Sequence, residues 1–182
     1  MKGNKQKLFW GIIILIGLAN TLQAIFTELI YDEAYYWYFS KKLDWGYFDH
    51  PPMVAAMIAL GQLLFKGTLG VRIVGVLSGL GTYLLIWNTV SKTNKKQHIG
   101  EFFVLLSSMT LLNAYGFFTL PDTPLLFFTA LLFYILKHFF HRPTWGLSIA
   151  LGLVMAALMY SKYHALLVIV GVLVGVPSLL KN

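Results

Sequence analysis

Residues 53–65 read MVAAMIALGQLLF, and where this run is placed decides how often the chain crosses a membrane. A helix needs about 20 mostly apolar residues to span a hydrocarbon core about 30 Å thick. This run is shorter than that and has the length of an interfacial or re-entrant segment, so it is placed at the membrane surface. Five longer apolar runs flank it, at residues 8–27, 69–90, 99–119, 124–140 and 145–180. The last is long enough for two spans and is broken near Lys162. Six transmembrane helices are therefore expected. Loops rich in Lys and Arg stay cytoplasmic, and six spans keep Lys2, Lys5, Lys7, Lys92, Lys95, Lys96, Lys137, Arg142 and Lys181 on the inside together with both termini. Counting residues 53–65 as a span would move Lys92 through Arg142 outside.

Composition agrees with this placement. With 58% apolar residues, 12% charged residues and a mean hydropathy of +0.70, the chain does not suit a water-facing surface. The expected fold class is an all-α polytopic membrane protein, with residues 1–182 as a single module. No cysteine is present, which excludes disulfides, thiolate metal sites and Cys nucleophiles. The net charge of +7 is dispersed among apolar runs and forms no stripe, so nucleic acid is not an expected partner. Three lysines precede the first apolar core, but no A-x-A site follows, which makes an uncleaved first helix the better reading than a signal peptide.

The acids provide an independent observation, because Asp and Glu contribute little to orientation. Six of the seven, Glu28, Asp32, Glu33, Asp44, Asp49 and Asp122, fall on the external side, and Glu101 alone lies inside. Most occupy the first external loop, residues 28–70, which is too long for a plain connection. Residues 31–48 hold nine aromatics in eighteen positions, suiting both an interfacial belt and a sugar or lipid platform. A juxtamembrane helix there places Asp32 on one face with Tyr36. Asp32-Glu33 at its start also complements the helix dipole. A second acidic turn, Asp49-His50-Pro51-Pro52, and a third, Pro121-Asp122, approach the same membrane edge. Carboxylates at such depth are costly unless paired, bound to metal or used.

Arg72 at the outer start of the second span and Lys162 at the break in the last run are the cationic counterparts, Lys162 as an anion contact or a side chain snorkelling to the interface. His50 fits a phosphate contact, a metal ligand or a cap. Gly75-x-x-x-Gly79 and Gly171-x-x-x-Gly175 read as helix contacts. His138 and His141 have ligand-like spacing without a matching cluster. No P-loop, GxGxxG, HExxH or GxSxG pattern occurs, so no nucleotide cofactor is expected.

The ordered set Tyr31-Asp32-Glu33-Ala34-Tyr35-Tyr36, Tyr47-Phe48-Asp49-His50-Pro51-Pro52, Leu120-Pro121-Asp122 and Tyr160-Ser161-Lys162 resembles the amino-terminal half of the dolichyl-phosphate-mannose protein mannosyltransferases. That GT-C type family includes the aminoarabinose transferases of lipid A. The resemblance implies a glycosyltransferase that moves a sugar from a polyprenyl phosphate to a glycan, lipid or protein acceptor outside a bacterial inner membrane. It implies Asp32 as catalytic carboxylate with Glu33 beside it, Asp122 as the second important carboxylate, and a divalent metal position at Asp49. Lys162, His50, Arg72 and Tyr36 form the expected binding set. His50 stands where the aminoarabinose enzymes carry Lys, which leaves the sugar open. Family members are longer, so the chain is expected to be the amino-terminal part of such an enzyme. The competing expectations are a non-enzymatic binder or transporter of an anionic lipid, and an inactive fragment.

Overall fold

The computed structural model describes residues 2–90 and 98–179. Lys92, Lys95, Lys96 and Lys181, on which much of the charge asymmetry rests, lie outside the described residues. The described chain is helical: α1 (Lys2–Phe26), α2 (Tyr31–Ser40), α3 (Met53–Leu64), α4 (Gly67–Thr89), α5 (Ile99–Ser108), α6 (Thr110–Ala114), α7 (Asp122–His141), α8 (Trp145–Ser161) and α9 (Ala165–Leu179). Three stretches are long and apolar enough to cross a membrane, Gln6–Phe26, Gly67–Thr89 and Asp122–His141. They correspond to the expected spans at 8–27, 69–90 and 124–140. Among the described residues three helices, not six, are long enough to span. The run at 145–180 divides where expected, with Lys162 extended between α8 and α9, but these helices have 17 and 15 residues.

The run at 99–119 departs further, because it is a broken helix. Ser107 and Ser108 turn their hydroxyls back onto Val104 O and Leu105 O, at 3.0 and 2.7 Å. Such back-bonding bends helices. The carbonyls freed at the break are taken by Asn113, whose Nδ2 donates to Leu106 O, Ser107 O and Met109 O at 3.0, 3.2 and 3.0 Å. Tyr83 donates to Asn113 Oδ1 at 2.6 Å, fixing the carboxamide from α4. A break in an apolar run is tolerated where side chains satisfy the released backbone groups.

The segment at 53–65 is helical as α3, with one face packed into the protein and Leu60, Leu63 and Leu64 exposed. Val54, Ala55 and Ile58 are fully buried, and Val54 and Ile58 join Tyr36 and Val71 in one core cluster. Twelve residues rise about 18 Å, short of a membrane crossing. Helix α4 is central: α1, α3 and α7 all pack on it. A Cβ on Gly75 would stand 2.5 Å from Thr119 Oγ1, and one on Gly79 would stand 2.8 Å from Gly116 Cα. The first glycine pair is thus a close contact, though with the irregular chain leading into α7 rather than with a helix. At Gly171 nothing lies within 4 Å of an added Cβ.

Two glycine substitutions should separate contact from propensity. Gly79→Ala forces backbone apart and is expected to cost about 1–3 kcal/mol. Gly100→Ala meets nothing within 4 Å and should be neutral or stabilising by about 0.5–1 kcal/mol. Thermal unfolding in detergent compares the two; equal midpoints would remove the close approach at Gly79.

Candidate active site

Glu33 and Arg72 meet with no exposed surface on either side chain. Arg72 Nε donates to Glu33 Oε1 at 2.9 Å and Nη2 to Oε2 at 2.6 Å, a bidentate pair. The remaining guanidinium protons go to the end of α1 and the chain leaving it: Nη1 to Thr27 O, Thr27 Oγ1 and Ala24 O at 2.8, 2.7 and 3.4 Å, and Nη2 to Glu28 O at 2.7 Å. Glu33 also accepts from Ile30 N at 3.3 Å, just ahead of α2, and from Thr119 N at 3.1 Å, in the turn before α7. Phe117 and Phe118 cover the guanidinium at 5.2 and 5.8 Å. One ion pair therefore fastens α1, α2, α4 and the 117–121 turn. The sequence placed Glu33 with the catalytic acids and Arg72 among the substrate contacts; in the structure the two side chains are buried against each other.

Asp32 points the other way. Successive residues on a helix are about 100° apart, so with Glu33 turned inward Asp32 is left exposed at the start of α2. One turn later Tyr36 is buried at 6% exposure. Burial pushes its phenol pKa up, and the charges of Asp49, Asp32 and Asp122 push it in the same direction, so the hydroxyl stays protonated. Tyr36 thus marks the point around which the three acidic elements gather. Tyr35 donates to Asp49 Oδ1 at 3.0 Å, and His50 Nδ1 lies 3.1 Å from Asp49 Oδ2. Burial raises the Asp49 pKa, but the contacts from Tyr35 and His50 outweigh it and hold the carboxyl below the usual range.

Asp122 opens α7 and Lys162 closes α8. The Thr123 hydroxyl shapes the turn ahead of α7, donating to Phe118 O at 2.8 Å and accepting from Leu120 N at 3.2 Å. Lys162 Nζ reaches both Asp122 oxygens, at 2.8 and 2.9 Å, with both side chains about a quarter exposed. Each charge also complements its own helix end. Tyr115 lies close enough to Asp122, Lys162 and Asp32 to feel their charges. It was missed in the sequence because it sat inside an expected span; only the broken helix brings it to the site.

The aromatic stretch divides into two sets. Phe39 stacks on Tyr47 with centroids 4.1 Å apart, and the Tyr47 hydroxyl donates to Phe39 O and Lys42 O at 3.1 and 3.2 Å, folding the loop onto α2. Tyr31, Tyr38, Trp45 and Phe48 face outward. Beside the charges runs an open groove of about 610 Å³, walled by Leu43, Trp45, Pro52, Met53, Ala56 and Tyr160, with Asp44 the acid on its lining. At Asp49 one carboxylate, an imidazole and a phenol fall short of the oxygen-rich shell of a hard divalent cation. Among the described residues no group of three His, Asp or Glu is arranged to hold a metal.

Comparison with known proteins joins this geometry to a family. The family model described as dolichyl-phosphate-mannose-protein mannosyltransferase matches residues 49–181, well over half of the chain. The chain belongs to that glycosyltransferase family. The matched stretch holds Asp49, His50, Asp122 and Lys162, while Asp32 and Glu33 precede it. Lipid A galacturonosyltransferase RgtD of Rhizobium johnstonii is 29% identical over 170 residues, covering 88% of this chain and 35% of that protein. The chain thus spans about a third of the length of this curated relative. No solved structure matches. Family membership and the three candidate spans make the chain an integral membrane protein.

Removing one partner of a buried ion pair leaves the other charge uncompensated, at about 3–5 kcal/mol. Glu33→Gln and Arg72→Met should each lower stability by about that amount in detergent unfolding, and Glu33→Leu combined with Arg72→Met should recover a large part of it. Single changes costing less than about 1 kcal/mol would show that the pair does not hold the four elements together.

Proposed function

We propose that the chain carries the catalytic and donor-handling residues of a membrane glycosyltransferase, which moves a sugar from a polyprenyl-phosphate donor to an acceptor outside a bacterial inner membrane. The supporting observation is the gathering of Asp32, Asp49 and Asp122 around Tyr36, with Lys162 paired to Asp122. In this reading six segments cross the bilayer, the 99–119 segment as a broken helix and α8 and α9 as shorter ones, so that Asp32, Asp122 and Lys162 all face outside. The relative's action on lipid A supports a lipid or lipid-linked glycan as acceptor. The apolar groove beside the charges suits a substrate with a lipid tail.

Asp32 serves as base, because it is exposed next to a partner that fixes the backbone beneath it. It takes the proton of the acceptor hydroxyl as that oxygen bonds to the anomeric carbon. The bond from that carbon to the phosphate oxygen breaks, and polyprenyl phosphate leaves. Attack opposite the leaving group inverts the anomeric centre. The departing phosphate needs charge stabilisation more than a proton. Lys162 and the ring of His50 supply it, with Lys162 exchanging Asp122 for phosphate. The protonated Tyr36 donates a hydrogen bond into the same space. Asp122 holds Lys162 in place until the donor arrives. Glu33 and Arg72 act as positioning residues, and no step is assigned to a metal at Asp49.

Asp32→Asn removes the base and leaves the buried pair intact. Transfer from a polyprenyl-phosphate sugar in membranes should fall about 10²–10⁴-fold with an unchanged unfolding midpoint. Retention of the wild-type rate would overturn the base assignment. Native mass spectrometry of Lys162→Ala should show loss of co-purifying polyprenyl phosphate; equal retention in both proteins would remove Lys162 from the phosphate site.

A further inference from the structure

The end of the bundle opposite the carboxylates holds a second cavity that the transfer reaction does not use. It has a volume of about 540 Å³ and lies between α4, α7 and α9, with Thr89, Phe133, Leu136, Phe140, Leu167 and Gly171 among its walls. Its lining is almost wholly apolar, and Gly171 contributes a recess, since nothing lies within 4 Å of a Cβ placed there.

One cation lines this cavity. Lys137 lines it and holds its ammonium against the end of α4, donating to Asn88 O, Thr89 O and Val90 O at 2.9, 2.7 and 3.4 Å. All three of its protons are thereby engaged, so it offers charge at the rim rather than a hydrogen bond. Arg142, five residues on at the C-cap of α7, is exposed at the same end of the bundle and has a guanidinium able to supply hydrogen bonds. Glu101, the acid at the start of α5, is already engaged by His98 at 2.6 Å. An apolar recess between helices, with Lys137 on its wall, Arg142 at the same end of α7 and the described acid Glu101 already engaged, matches an acyl chain below an anionic headgroup.

We propose that this cavity seats one acyl chain of an anionic phospholipid of the leaflet opposite the carboxylate site, with its phosphate at Lys137 and Arg142. The proposal is independent of the transfer reaction. A basic side chain near the membrane surface contributes about fivefold in affinity for an anionic lipid.

The test is native mass spectrometry of the purified chain, titrated in detergent with dioleoyl phosphatidylglycerol and, separately, with dioleoyl phosphatidylcholine. The wild-type chain should retain one phosphatidylglycerol at least fivefold more tightly than phosphatidylcholine. Gly171→Leu fills the recess at a position where Gly is a poor helix former, so the variant should unfold no earlier and should lose both lipids. Arg142→Gln should keep one lipid and lower the preference for phosphatidylglycerol about fivefold. Equal retention of the two lipids by the wild-type chain would overturn the headgroup site. Undiminished retention by Gly171→Leu, or no retention by the wild type, would overturn the acyl seat.

Discussion

A guanidinium and a carboxylate without exposed surface are costly to bury unless every donor and acceptor is met, and here the whole of Arg72 and Glu33 is met. The protons of Arg72 reach both oxygens of Glu33 and four acceptors in residues 24–28. Glu33 adds the backbone N–H groups of Ile30 and Thr119. Those partners are the end of α1, the start of α2 and the approach to α7. Such ends carry unpaired backbone groups that an apolar environment penalises. The pair therefore does two things at once: it satisfies loose backbone at the membrane edge, and it fixes the positions of the segments that bear Asp32 and Asp122.

The same requirement explains why the bundle is not built from uniform spans. Where the 99–119 segment breaks, Asn113 and Tyr83 replace the helical ladder. Asn20 Nδ2 donates to Gly116 O at 3.2 Å, so α1 also supports the irregular chain. Because Gly75 and Gly79 have no side chains, that chain lies against α4. Irregular backbone beside an apolar bundle survives when protein groups meet its polar atoms. The break gives the site Tyr115 and brings Thr119 N to Glu33, neither of which a continuous helix through 119 would deliver.

How much of this was legible follows from what each signal measures. Apolar length located the long helices and the interruption at Lys162, since a charge inside an apolar run has few structural solutions. It set residues 53–65 apart as too short to span, but could not show that their Val54 and Ile58 pack against Tyr36 and Val71. It read 99–119 as continuous, because Ser and Asn interrupt a helix only when tertiary partners let them. The ordered acidic turns identified the carboxylate cluster and pointed to the family. They did not reveal that Glu33 and Arg72 spend their charges on each other, since a pairing across 39 positions leaves no local trace.

The adjacency of Asp32 and Glu33 is then more than a doubled charge. On a helix two neighbouring side chains diverge by about 100°, so one carboxylate held in the interior obliges its neighbour to face elsewhere. With four hydrogen bonds on Glu33, the backbone at position 32 has little freedom to rotate, and the exposed carboxylate is aimed by its buried neighbour rather than by contacts of its own. Asp122 follows the same logic by another route. Thr123 and the N–H of Thr119 set the turn ahead of α7, and Lys162 is delivered from the opposite strand of the hairpin that α7 and α8 form. In both cases a carboxylate that keeps some exposed surface is held by backbone that buried neighbours fix. A buried ion pair of this kind adds little net stability over an apolar core. Its worth lies in orientation, and the geometry around Asp32 is the argument for retaining two charges where two leucines would fold.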